Sequence, residues 1–158
     1  MNMVVIAGTN RVGSNSKKVA LYIAAKYETE GCTVQVIDLA DLPSELLSPT
    51  VYKEKPESFA AFHDPILNAD GVVFVVPEYN GSFPGILKYY IDMWKYPDCF
   101  ENICVAYIGI ASGQWGALRA LSRAQVLDAS GADPQLHRLR PPSPDLQIKL
   151  DVPDPSWA

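Results

Sequence analysis

Three stretches of the chain gather residue types that can hold a ligand. The first reads Gly8-Thr9-Asn10-Arg11-Val12-Gly13-Ser14-Asn15-Ser16 and combines hydroxyls, an amide, a guanidinium and flexible backbone. A helical pattern follows it, so its N–H groups open a helix, where unpaired donors and the positive end of the dipole favour an anion. Helix capping accounts for Ser14 or Ser16. It does not account for Thr9, Arg11 and Asn15 as well, whereas a phosphate does. Gly8 and Gly13 match the outer glycines of a nucleotide-triphosphate loop, but Ser14-Asn15 stands where that motif needs lysine followed by serine or threonine. A dinucleotide fingerprint also fails, because Asn10 replaces its middle glycine. A terminal monophosphate is the better fit.

The second stretch, Pro77-Glu78-Tyr79-Asn80-Gly81-Ser82-Phe83-Pro84-Gly85, follows an apolar run at residues 71–76. Its prolines and glycines either steer an awkward corner or shape backbone around something, with Pro84 suited to the first turn of the next helix. Beside a phosphate loop, its main-chain N–H and C=O groups suit a flat heterocycle. The third stretch is Ala111-Ser112-Gly113-Gln114-Trp115-Gly116.

The elements that must position these loops can be read from periodicity. Residues 3–7 form a short apolar strand. Val19, Ala20, Ile23, Ala24 and Tyr27 then fall on one helical face, and Gly31 ends that helix. Residues 33–38 alternate as a strand. Residues 39–56 hold Pro43, Pro49 and Pro56 and read as a long surface loop with one short helical turn at most. Phe59, Phe62 and Ile66 space as a helix that Pro65 should kink or end. The run at 72–76 is apolar at every position, as in a central parallel strand covered on both faces. Ile86, Leu87, Tyr90, Ile91 and Trp94 mark a strong helix, residues 103–110 a fourth strand, 117–129 a helix, and 136–139 a fifth strand. Alternating strands and helices with right-handed crossovers predict a doubly wound α/β domain with a parallel sheet in the order 2-1-3-4-5. All three polar loops then leave the carboxyl ends of strands, where such sheets bind ligands.

Composition narrows the function. The formal charge of −5 and the absence of a basic stripe argue against nucleic acid. No apolar run approaches the roughly 20 residues of a membrane span, and the N-terminus has no basic leader, so a cytoplasmic protein is expected. Cys32, Cys99 and Cys104 lack the spacing of a disulfide or metal framework and read as reduced thiols. His63 and His137 stand in unrelated places, so no metal site is expected.

G-T-N-R-V-G-S-N-S, P-E-Y-N-G-S-F-P-G-I-L-K and S-G-Q-W-G, each after a strand, resemble the NADPH-dependent FMN reductase family of flavodoxin-like proteins. The resemblance runs over residues 3–130. It implies a three-layer flavodoxin-like fold that binds FMN at this edge, with NADPH or NADH as co-substrate. Thr9, Arg11, Ser14 and Ser16, with Asn15 adjacent, fall on the family's phosphate positions. Pro77, Glu78, Tyr79, Asn80 and Gly81 fall on the stretch whose main chain lines the isoalloxazine ring, and Ser112 and Gly113 on further ring contacts. The third loop departs from the family's usual Ser-Gly-Gly, so Trp115 either covers the flavin, narrows the approach to it or packs under the loop. A homodimer or homotetramer is implied as well.

A second departure lies at the C-terminus. Six of the thirteen prolines fall within residues 134–155, so the last helix of the fold is expected to be missing. A Pro-rich extended arm, residues 141–158, is expected to follow a flavin-binding domain of residues 1–140. Leu146, Ile148, Leu150 and Val152 alternate in it with a period of two. The expected reaction passes a hydride from nicotinamide to FMN and then electrons to a quinone, flavin, azo compound or metal oxyanion. It needs no side-chain nucleophile or general acid, and Glu78 is read as orienting backbone rather than as a base. The alternative is a flavodoxin-type carrier without nicotinamide activity, which the Arg11 position and P-E-Y-N-G disfavour.

Overall fold

The computed structural model describes residues 1–100, 103–113 and 115–129. Four strands, β1 (Asn2–Ala7), β2 (Thr33–Asp38), β3 (Gly71–Pro77) and β4 (Cys104–Ile110), form one sheet in the order β2-β1-β3-β4. All pairings are parallel. The expected fifth strand at 136–139 and the arm at 141–158 lie outside the described residues, as do the residues where a last helix would fall.

Helix α1 (Asn15–Thr29) covers one face, where Ala20, Ile23 and Ala24 pack on Met3, Val5, Ala7, Val73 and Val75. The opposite face carries α2 (Ala60–Leu67), α3 (Gly85–Asp92) and α4 (Leu118–Ala129). There Ile66, Leu87, Tyr90, Ile91 and Ala120 bury Val4, Ile6, Val72, Phe74 and Val76. Covered from both sides, β3 is buried at all seven positions, which is why its sequence shows no alternation.

One local reading needs correction. Residues 39–56 are not a surface loop: three 3₁₀ turns, Leu39–Asp41, Ser44–Leu47 and Pro49–Tyr52, run through them and drive Leu39, Leu46 and Val51 into the core. Prolines mark these turns because a 3₁₀ or α start tolerates the missing N–H. Pro49 opens one turn in this way, after Ser48, whose side chain accepts from the Thr50 N–H. Pro65 stands inside α2, which ends two residues further on at Leu67. The Tyr90 hydroxyl donates to the Phe62 carbonyl at 2.5 Å and ties α3 to α2.

The cysteines are free thiols in three settings: Cys99 buried, Cys32 half-buried and Cys104 exposed at the start of β4. Burial pushes the Cys99 thiol up from its ordinary pKa, and its sulfur lies 3.5 Å from His63 Nε2. Iodoacetamide on the folded protein is therefore expected to label Cys104 readily and to spare Cys99 until denaturant is added. Peptide mapping checks the order, and equal labelling of the two in the native state would contradict the packing. No helix among the described residues is long and apolar enough to cross a membrane.

Candidate functional site

The sheet order places a reversal of winding between β1 and β3, since β2 is added on one side of β1, and β3 with β4 on the other. The loops after β1, β3 and β4 leave the same edge, as a crevice at a topological switch point requires. The structure brings the three sequence stretches to that edge.

In the first loop the Gly8 N–H donates to the Val75 carbonyl at 2.9 Å, extending the β1–β3 ladder by one residue. Thr9 is fully buried. Its hydroxyl accepts from the Arg11 N–H at 3.2 Å and meets the Tyr79 hydroxyl at 3.0 Å, so the first and second loops touch. Gly13, at φ +67, makes a turn that a side chain rarely permits. Ser14 then caps α1, its oxygen accepting from the Lys17 N–H at 3.1 Å. Capping uses a lone pair and leaves the Ser14 hydrogen available. Ser16 is 2% exposed, and its hydroxyl has no partner among the described residues. Arg11 and Asn15 are exposed. A hydroxyl that makes no hydrogen bond to the described residues and still reaches solvent, beside a helix N-terminus and an arginine, is a donor set that fits a phosphate.

Lys17 is less available than its place in the first turn suggests. Its ammonium lies 2.8 Å from Asp38 Oδ2, and that hydrogen bond, with the carboxylate's charge, holds its pKa above the ordinary value. Asp38 also accepts from the Ala40 N–H at 3.0 Å. The pair ties the end of β2 to the start of α1 beneath the phosphate loop.

The second loop is a two-residue hairpin. Tyr79 and Ser82 exchange backbone hydrogen bonds of 2.8 and 3.0 Å, while Asn80 and Gly81 take φ values of +52 and +72. Two positive φ values in succession define a type I′ turn, for which Asn-Gly is the favoured pair. The turn consumes the Tyr79 N–H, and the Glu78 N–H donates to the Ile110 carbonyl at 2.8 Å. That leaves the Asn80 and Gly81 N–H groups with no protein acceptor among the described residues. Two fixed, unspent donors at the tip of a turn suit the electron-rich edge of a heterocycle.

The third loop folds through Gly116 and Ala117, both at positive φ, into α4. Ser112 and Gly113 are exposed beside the crevice. Trp115 is 65% exposed and does not pack under the loop. Gly109 permits the close approach of α4 to β4, since a Cβ there would lie 2.8 Å from Ala117 Cβ. Two residues that the motifs did not flag come with α4. Arg123 donates to the Gly81 carbonyl at 2.7 Å, and Arg119 Nη1 lies 3.7 Å from where a Gly81 Cβ would stand. Their spacing of four on a helix, with no acid anywhere in residues 112–127, was the available signal.

A parallel α/β sheet with helices on both faces and a polar, phosphate-suited crevice at its switch point is the arrangement of a flavodoxin-like protein. Within that class, the chain belongs to the NADPH-dependent FMN reductase family, which it matches over residues 1–134. It is 34% identical over 123 residues to a quinone reductase of Pseudomonas putida, covering 75% of this chain and 64% of that protein. An FMN-dependent NADPH-azoreductase of Staphylococcus haemolyticus is 31% identical over 97 residues, 58% of this chain and 51% of that one. Among solved structures, the flavoenzyme NAD(P)H:(acceptor) oxidoreductase FerB of Paracoccus denitrificans aligns with a TM-score of 0.68 and 28% identity, covering 82% of this chain and 72% of that chain. The chain spans less than two thirds of the length of these two curated relatives.

Proposed function

We propose that this protein is an FMN-dependent NAD(P)H oxidoreductase that delivers electrons to a small acceptor of the quinone, flavin, azo or metal-oxyanion class. The observation that carries the reading is the pairing of an unspent phosphate donor set in the β1 loop with two unspent main-chain donors at the β3 turn. The Thr9–Tyr79 contact joins the two. The names of the similar proteins, quinone reductase and NADPH-azoreductase, support the same class.

Thr9, Arg11, Ser14, Asn15 and Ser16 would hold the FMN phosphate, the main chain of residues 77–81 would line the ring, and Ser112 and Gly113 would close its other side. When bound, FMN supplies the two-electron chemistry. The chain's part is placement. The Asn80 and Gly81 N–H groups, held by the turn, would offer fixed donors to negative charge on a bound ring. The Lys17–Asp38 pair keeps a second cation off the phosphate, so Arg11 is the charge that selects it. Glu78 has its N–H committed to β4 and serves to anchor the loop. Exposed Trp115 stands at the approach, as a cover or a narrowing. The protein would work in the cytoplasm, as a homodimer or homotetramer, a reading that rests on its thiol pattern and on family resemblance.

The deciding experiment is anaerobic. The purified protein should be yellow, or turn yellow with added FMN, and should bleach when NADPH or NADH is supplied. A bound flavin that neither nucleotide bleaches would leave the electron-carrier reading, and a protein that takes no FMN would overturn both. Arg11→Ala should weaken FMN binding about 10- to 100-fold, the loss of one charge-assisted contact. Fluorescence titration measures it, and unchanged affinity would move the phosphate elsewhere.

A further inference from the structure

We propose that Arg123 is a positioning residue that holds and polarises the Asn80–Gly81 turn, and that it thereby raises the reduction potential of the flavin bound there. The inference rests on the flavin reading above and assigns a further residue to it.

Arg123 Nη1 donates to the Gly81 carbonyl at 2.7 Å, within the short range of a charge-assisted bond. Among the described residues no other side chain bonds the main chain of this turn. The Gly81 carbonyl shares its peptide group with the Ser82 N–H, which donates to the Tyr79 carbonyl at 3.0 Å. That carbonyl in turn shares a peptide group with the Asn80 N–H, one of the two donors the turn leaves unspent. A guanidinium therefore stands at one end of two linked peptide groups and an open donor at the other. Each accepted bond draws electron density along its peptide and strengthens the next N–H as a donor. The positive charge is thus felt at the ring side of the site without Arg123 touching a ligand. A donor strengthened in this way favours the reduced ring, which carries the added negative charge, over the oxidised one, and that difference in binding is a rise in potential. The helix that carries Arg123 is also seated firmly. Ala120 and Ala124, one turn apart on α4, are buried, and Gly109 admits the helix closely, since a Cβ there would lie 2.9 Å from Leu121 Cδ1. Arg119 lies beside the same turn, its Nη1 3.7 Å from where a Gly81 Cβ would stand, but makes no hydrogen bond to it among the described residues. It carries the same charge without the peptide relay.

The test uses the full chain loaded with FMN, its midpoint potential measured by anaerobic dye equilibration and its affinity for oxidised FMN by fluorescence titration. In Arg123→Met the reduced form should lose about 10-fold in affinity relative to the oxidised form. For a two-electron couple that is a fall in potential of about 30 mV. Arg123→Lys, which keeps a charged donor, should recover most of it, and Arg119→Met should shift the potential markedly less. In the FMN-free protein the Ser82 and Asn80 amide proton resonances should move upfield in Arg123→Met and stay in place in Arg119→Met. Thermal melting establishes that the variants fold. An unchanged potential in Arg123→Met, an equal fall in Arg119→Met, or unmoved amide resonances would each overturn the proposal. A chain that takes no FMN overturns the flavin reading instead, and the resonances then decide by themselves whether Arg123 polarises the turn.

Discussion

Phe74→Ala should lower unfolding stability by about 3–5 kcal/mol, the range for a large aromatic removed from a packed core. Phe74 is 1% exposed in the middle of β3. Its ring lies 5.9 Å from Trp94 and 5.2 Å from Tyr107, near-parallel to both. Tyr107 is its register partner on β4, and Ile6 is its partner on β1. The truncation therefore removes the piece that α3, β1 and β4 all pack against, and none of these can collapse inward without leaving its strand register. Domains commonly unfold at a cost of about 5–15 kcal/mol in total, so the loss is a large share. Urea titration should show the midpoint falling with little change in slope. A loss below about 1 kcal/mol would mean that the three rings do not form one stack.

The sequence made the frame of this fold legible wherever a single physical signal dominated. All-apolar residues at 72–76 identified the central strand because burial on both faces erases alternation, and Ser14 and Gly31 bracketed α1 because capping chemistry is local. The 39–56 segment was not legible in the same way. Its prolines signal irregular backbone, but they do not say whether that backbone is on the surface, and Leu46 and Val51 are buried through contacts distant in sequence. The site divided along the same line. Asn80-Gly81 could be read as special turn chemistry, yet which N–H groups the turn would spend depends on the Tyr79–Ser82 exchange and on β4. Arg119 and Arg123 belong to no motif, and it is the sheet order, which sets α4 beside β3, that brings them to the turn. The Lys17–Asp38 pair carries no local sequence signal, because the parallel pairing of β1 with β2 brings the two together.

Gly8→Ala should cost about 3 kcal/mol of stability and weaken FMN binding at least about 10-fold, although it adds one methyl group. A Cβ at Gly8 would stand 2.8 Å from the Val75 carbonyl oxygen and 3.2 Å from Leu87 Cδ2. The first of these atoms cannot yield, because it belongs to the backbone of the buried central strand and accepts the Gly8 N–H. The end of β1 must move away from β3, which breaks that hydrogen bond and draws Thr9 from Tyr79, the contact that joins the two halves of the site. Gly13→Ala in the same loop supplies the contrast. Nothing lies within 4 Å of its Cβ position, so its cost is confined to the strain of φ +67, about 1–2 kcal/mol. Denaturation midpoints and FMN titrations of the two variants separate crowding from strain. If Gly8→Ala is as stable as the wild type and binds FMN equally well, the loops after β1 and β3 are not in the close contact from which the site has been built.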